Sequence, residues 1–181
     1  MTTHERRITM QKKTPIEKYI VLGVVVAIII GLITALQLGK KQDEQFTMNQ
    51  MQFNYAQQLM EEERYETGVE MMAEVMANST PTAYLTQSYG YMNAYVEDYQ
   101  KASELYLETI EINPYMIENA LFMAQLSEFL VVTEQYDKAL TVIEQAETLN
   151  PPEQLPNYQE ILTNLKTKTE AALATEESSA S

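Results

Sequence analysis

Asp98-Tyr99-Gln100-Lys101-Ala102-Ser103-Glu104-Leu105-Tyr106-Leu107-Glu108-Thr109-Ile110-Glu111-Ile112-Asn113-Pro114 is the stretch that decides the fold, because its pattern occurs three times in the chain. Relative to Ala102, a Tyr lies three positions back (Tyr99), an aromatic four ahead (Tyr106), a small residue seven ahead (Thr109) and a proline twelve ahead (Pro114). Downstream, Tyr136, Ala139, Ile143, Ala146 and Pro151 keep every offset at a shift of 37 residues, a 34-residue period plus a three-residue insertion. Upstream, Tyr65, Gly68, Met72 and Val75 hold the frame at a shift of 34, with the proline displaced by one to Pro81.

A 34-residue period in which each unit is a helical hairpin is the sequence signature of a helical repeat array. On these residues the chain resembles the tetratricopeptide repeat (TPR) family, whose second helix carries the Tyr, the small residue and the aromatic before a closing Pro. The first-helix half of the pattern is degenerate. Ala56, Gly90 and Ser127 fill its small position, and Gln52, Thr86 and Met123 stand where the family has Trp. The resemblance implies repeats at 49–82, 83–116 and 120–153, with Ala102 and Ala139 where the two helices of a hairpin nearly touch.

Ahead of the repeats lies an apolar run. From Tyr19 to Gly39 no side chain is ionisable except Tyr19, and Val, Ile and Leu dominate. A helix of that length is roughly 30 Å long, the thickness of a bilayer's hydrocarbon core. Signal-peptide apolar regions are about 7–15 residues long and end at an A-x-A-like site. This run is longer and ends Ala35-Leu36-Gln37-Leu38-Gly39-Lys40, and lipoprotein processing would need a Cys, which the sequence lacks. The run is therefore expected to be an uncleaved transmembrane anchor, residues 19–39, and not a signal peptide or a buried core helix.

Residues 1–18 hold five basic against two acidic residues, a net of +3, whereas only Lys40 and Lys41 follow the span before acidic residues begin. Positive flanks stay cytoplasmic. The expectation is a single-pass protein of the cell membrane with a basic cytoplasmic leader (1–18) and its repeats outside the cytoplasm. Gly23, Ala27, Gly31 and Ala35 recur every four residues and share one face of the span. Small residues in such register let membrane helices approach closely, so this face is the candidate interface with another transmembrane helix or a second copy.

From Gln42 to Ser181 there are five basic and 24 acidic residues, a net of −19, which disfavours nucleic acid and anionic headgroups as partners. Residues 40–48 contain few helix breakers, so the first repeat helix is expected to start close to the end of the span. Asn78-Ser79-Thr80-Pro81, Asn113-Pro114 and Asn150-Pro151-Pro152 mark stops between repeats, since Pro lacks the donor that a continuing helix needs. Tyr158, Ile161, Leu162 and Leu165 then follow Pro156 at helical spacing and predict a capping helix over 156–174. The polar end, 175–181, is expected to be disordered. The fold class is thus all-α: a transmembrane helix, about three helical hairpins and a cap.

Chemistry is not expected. There is no Cys, the one His (His4) sits in the leader, only Asp43, Asp98 and Asp137 are Asp, and no Gly-rich loop precedes a helix. Acidic pairs such as Glu70 and Glu74 lack a basic partner, so the sequence points to no catalytic residues, no metal and no cofactor. The family resemblance implies instead a concave groove, lined by the first helix of each hairpin, that binds a partner's extended peptide or helix. Its candidate lining is Phe53, Gln57 and Met60, then Tyr84, Gln87 and Tyr91, then Leu121, Ala124 and Glu128. Tyr gives large amphipathic contact area at low entropic cost, and Met adapts to varied shapes. The groove that grips acidic chaperone tails elsewhere in the family uses cations; Phe53, Gln57, Ser88, Leu121 and Gln125 offer none.

The function these features imply is a membrane-anchored interaction scaffold or helper in secretion or envelope assembly, and its layout is similar to that of the ancillary subunit of the bacterial Sec translocon. The other reading is a non-catalytic accessory subunit of a membrane-bound enzyme or of a cell-wall or division complex.

Overall fold

The computed structural model describes residues 15–151, 153 and 155–179, and all regular structure among them is helical. In chain order the helices are α1 (Pro15–Glu61), α2 (Tyr65–Asn78), α3 (Ala83–Tyr95), α4 (Tyr99–Ile112), α5 (Ala120–Val132), α6 (Tyr136–Glu147) and α7 (Tyr158–Ser179). A short 3-10 helix, Pro114–Glu118, lies between α4 and α5. It stands at the three-residue insertion, which explains how the frame absorbs the extra length. Two compact units divide the chain between Thr47 and Met48, and each is described by itself.

The first unit is the apolar part of α1. Its large apolar side chains from Tyr19 to Leu38 are all exposed, between 45% and 73%. A helix apolar on every face needs an apolar medium or a partner around it. This one is long and apolar enough to cross a membrane. Helix α1 already begins at Pro15, inside the stretch expected to be leader, and it runs on through residues 40–48 without a break. His4 and the rest of the leader up to residue 14 lie outside the described residues, as does Pro152 in the last stop.

In the second unit the helices form successive hairpins: the end of α1 with α2, α3 with α4, and α5 with α6. One turn geometry is used three times. Glu63, Glu97 and Glu134 have φ of 59°, 60° and 59°. Behind each, the next amide bonds back to the last turn of the first helix: Arg64 N to Leu59 O (2.8 Å), Asp98 N to Asn93 O (3.0 Å) and Gln135 N to Leu130 O (2.9 Å). That is the left-handed helix stop which satisfies otherwise orphaned carbonyls. These turns are 34 and 37 residues apart, matching the period of the sequence.

Side-chain caps start α3, α4 and α5. The Thr82 hydroxyl accepts from Leu85 N (3.3 Å), the Asp98 carboxylate from Lys101 N (3.0 Å) and the Asn119 side chain from Phe122 N (3.1 Å). Each satisfies one free donor of a first turn.

Small residues set the close approaches. Ala102 and Ala139 are both fully buried, as the frame requires. A Cβ on Gly68 would lie 2.9 Å from Met60 Sδ and 3.3 Å from Ala56 O. Two apolar clusters form the core: Phe53, Ala56, Met72, Val75 and Met92 in the first hairpins, and a larger one centred on Tyr106, Phe122, Leu126, Leu130 and Ile143. The Tyr106 ring stacks on Phe122 at 4.6 Å and meets Phe129 edge-on at 5.0 Å.

Helix α7 closes the stack. Tyr158 is fully buried and donates to Ala146 O (2.7 Å), while Lys166 Nζ pairs with Glu147 at 2.7 Å. The helix continues to Ser179, five residues past its expected end, so 175–179 are helical and not disordered. Thr175 contributes by bonding back to Ala171 O (2.8 Å), which satisfies its hydroxyl inside the helix. Ala180 and Ser181 lie outside the described residues.

Candidate functional site

The first helices of the second and third hairpins, α3 and α5, each expose one narrow stripe. On α3 the exposed side chains are Tyr84, Tyr91 and Tyr95. On α5 they are Leu121, Glu128 and Val132. The two sets are in register, because Tyr84, Tyr91 and Tyr95 shifted by 37 residues are Leu121, Glu128 and Val132. The rest of α5 is buried or half-buried, so this stripe is its open face. Offsets of seven and four keep three side chains on one side of a helix, about two turns and one turn apart.

Local packing holds the tyrosines in place. Tyr95 stacks on Tyr65 at 5.1 Å and 30°, and Tyr91 meets Tyr95 edge-on at 5.1 Å, with the two hydroxyls 2.8 Å apart. The hydrogen bond to Tyr95, with burial second, pushes the Tyr91 phenol up to about 12. Tyr84 is 64% exposed and leans its ring against Phe53, centroids 5.7 Å apart. These rings are rigid, half-wetted and aimed outward. They offer apolar area with a hydroxyl at the rim, the combination that anchors protein interfaces.

Beneath them lies a polar seam. Tyr106 is fully buried, yet its hydroxyl donates to Gln125 Oε1 (2.9 Å). Burial pushes the Tyr106 phenol up, and a hydrogen bond from Gln87 opposes it. Gln125 thus ties α5 to Tyr106 on α4, and both Gln87 and Gln125 are half-buried.

The expected lining is placed unevenly. Tyr84, Tyr91, Leu121 and Glu128 are open, and Gln57, Met60 and Gln87 are half-buried. Phe53 is not an open groove residue: only 6% of it is exposed, because its ring belongs to the core with Met72 and Met92 and reaches the surface only through Tyr84. Ala124, 5% exposed, is core as well. Sequence reasoning missed Tyr95 and Val132. The i+4 spacing from Tyr91 was the signal that could have found Tyr95. In the apolar helix, Gly23, Ala27, Gly31 and Ala35 are exposed, and a Cβ on Gly23 or Gly31 would meet nothing within 4 Å.

Fold and site together define an all-α protein with a TPR-like array of helical hairpins behind a long apolar helix. Among solved structures the chain is similar to the type III secretion chaperone SycD of Yersinia enterocolitica, solved with a peptide of the translocator YopD. The identity is 15%, with 70% of this chain and 93% of that chain covered, at a TM-score of 0.50. It is also similar to the TPR domain of P58(IPK), at 18% identity and a TM-score of 0.53, where the match covers 74% of this chain and 36% of that one. At these identities the likeness is one of fold. No family model and no curated protein sequence matches the chain.

Proposed function

We propose that this chain is a single-span membrane protein whose repeat array, outside the cytoplasm, holds an extended peptide or a helix of a partner protein in service of secretion or envelope assembly. The observation that carries this reading is the pair of in-register stripes, Tyr84/Tyr91/Tyr95 and Leu121/Glu128/Val132, the open faces of two first helices whose other side chains are buried or half-buried. Singly exposed apolar residues are ordinary, but three tyrosines on one helix face, each held by an aromatic neighbour, are an anchor surface. The peptide-bound neighbour of similar fold supports a peptide as the occupant. The exposed apolar helix and the basic excess ahead of it support the anchor and its orientation.

Crosslinking in intact membranes followed by mass spectrometry tests the reading. Tyr84→Ala/Tyr91→Ala should lose the partner that the natural chain captures, at about 2 kcal/mol or more per truncated aromatic. A charge reversal on a different helix, Glu108→Lys on α4, should retain it. The opposite pattern, with both variants folded, would place binding on the other surface. Protease added to intact spheroplasts should remove the repeats; their survival until lysis would reverse the orientation.

A further inference from the structure

We infer that Glu128 is a subsite for one lysine or arginine side chain of the bound segment, an inference that rests on the groove reading above. Of the six residues on the two open stripes, Glu128 alone is charged. It lies between Leu121 and Val132 on α5, and Tyr91 holds the same repeat position one hairpin earlier. Among the described residues Glu128 has no ion-pair partner, and the ion pairs that form, Arg64–Glu62, Lys101–Glu104 and Lys166–Glu147, lie off both stripes. No Lys or Arg occurs anywhere on α3 or α5.

A carboxylate on an otherwise apolar and aromatic contact face is costly to cover unless the occupant brings a cation. A cation at this position gains twice. The carboxylate can accept a charge-assisted hydrogen bond, and Tyr91 in the equivalent position of the neighbouring hairpin presents an aromatic surface of the kind that attracts ammonium or guanidinium. The net −19 of residues 42–181 adds a long-range pull in the same direction. The occupant is therefore an extended or helical segment with apolar residues and one fixed basic residue. Acidic segments are rejected.

The test is selection from a displayed library of random peptides of about twelve residues, long enough to cross neighbouring hairpins, against the full chain in detergent. Selected peptides should share Lys or Arg at one position among apolar and aromatic residues. Glu128→Gln should weaken them about two- to fivefold, the range for a half-exposed ion pair. Glu128→Lys should switch the selected residue to Asp or Glu. The same change on α4, Glu108→Lys, should leave the preference basic, which separates a local contact from the general field. Peptides with no basic preference, or a preference that Glu128→Lys leaves unchanged, would overturn the subsite while the groove stands. Recovery no better than with Tyr84→Ala/Tyr91→Ala would overturn both.

Discussion

A Cβ built on Gly90 would lie 2.8 Å from Cδ2 of Tyr106, a separation that real Cβ contacts do not show. Leu105 Cβ would be 3.1 Å away, so neither neighbour on α4 leaves room. Tyr106 is fully buried between Phe122 and Phe129 and cannot swing aside. Helix α3 therefore reaches α4 only because residue 90 has no side chain.

Gly90→Ala should destabilise the array by about 1–3 kcal/mol from overpacking, partly offset by the roughly 0.5–1 kcal/mol that Ala gains over Gly inside a helix. Gly68→Ala should cost less, because its nearest obstacle is the flexible end of Met60. Thermal unfolding followed by circular dichroism checks the order. A lower melting temperature for Gly68→Ala would mean that the Tyr106 ring yields more easily than its packing implies.

Thr86 stands at one of the positions where the repeat pattern that the chain resembles carries Trp. It is fully buried, and its hydroxyl has no hydrogen-bond partner among the described residues. An unpaired buried hydroxyl costs about 1–3 kcal/mol, and Val has nearly the same shape and the same β-branching. Thr86→Val should therefore raise stability by about 1 kcal/mol, read as a higher denaturation midpoint. A fall would show that the hydroxyl is satisfied in solution.

The period of the array was legible because a Tyr, a small residue and a large apolar residue (Met72, Tyr106 and Ile143) at fixed offsets reflect obligatory contacts. The buried Ala102, Ala139 and Tyr106 are those contacts. The left-handed geometry of the turns was not legible, although the Glu61-Glu62-Glu63 turn itself was. A left-handed residue is normally announced by Gly, and here Glu63, Glu97 and Glu134 take the conformation with no such signal. Phe53 was misplaced for another reason: helical spacing gives the direction of a side chain, but not whether a neighbour such as Tyr84 covers it. The helical end of α7 was hidden by its composition, since Thr, Glu and Ser also suit disorder.

Glu97 offers a direct test of that turn. At φ 60° a non-glycine residue is strained by roughly 1–2 kcal/mol, and a β-branched one by more. Glu97→Gly should be neutral to stabilising, because relief of strain competes with the greater chain entropy of Gly when unfolded. Glu97→Val should destabilise by at least about 1 kcal/mol. Equal melting temperatures for the two variants would show that the turn relaxes out of the left-handed region.

Tyr106 and Tyr91 make the array sensitive to high pH. Burial raises the Tyr106 phenol above its ordinary value near 10, and the bond to Tyr95 raises that of Tyr91 to about 12. The folded state thus keeps protons that the unfolded chain releases. This contribution to stability is complete below about pH 10 and is lost as pH rises through the folded values. Denaturant midpoints should be flat in this respect up to pH 9 and fall above pH 10, and Tyr106→Phe should flatten the fall. An undiminished slope in Tyr106→Phe would assign the effect to other groups.

The apolar segment of α1 carries the last prediction. Gly23, Ala27, Gly31 and Ala35 form one stripe, a Cβ at Gly31 would meet nothing within 4 Å, and Ile29 is half exposed on a different face. In a bilayer no hydrophobic drive brings helices together, so association depends on how closely backbones approach. A leucine at residue 31 would hold a neighbour off the stripe, whereas Ile29→Leu conserves volume away from it. If the segment spans the membrane and pairs through the stripe, Gly31→Leu should lower crosslinking to a second copy or a partner helix severalfold, and Ile29→Leu should leave it unchanged. Equal yields from the two variants would reduce the stripe to ordinary membrane composition and leave the helix as a tether alone.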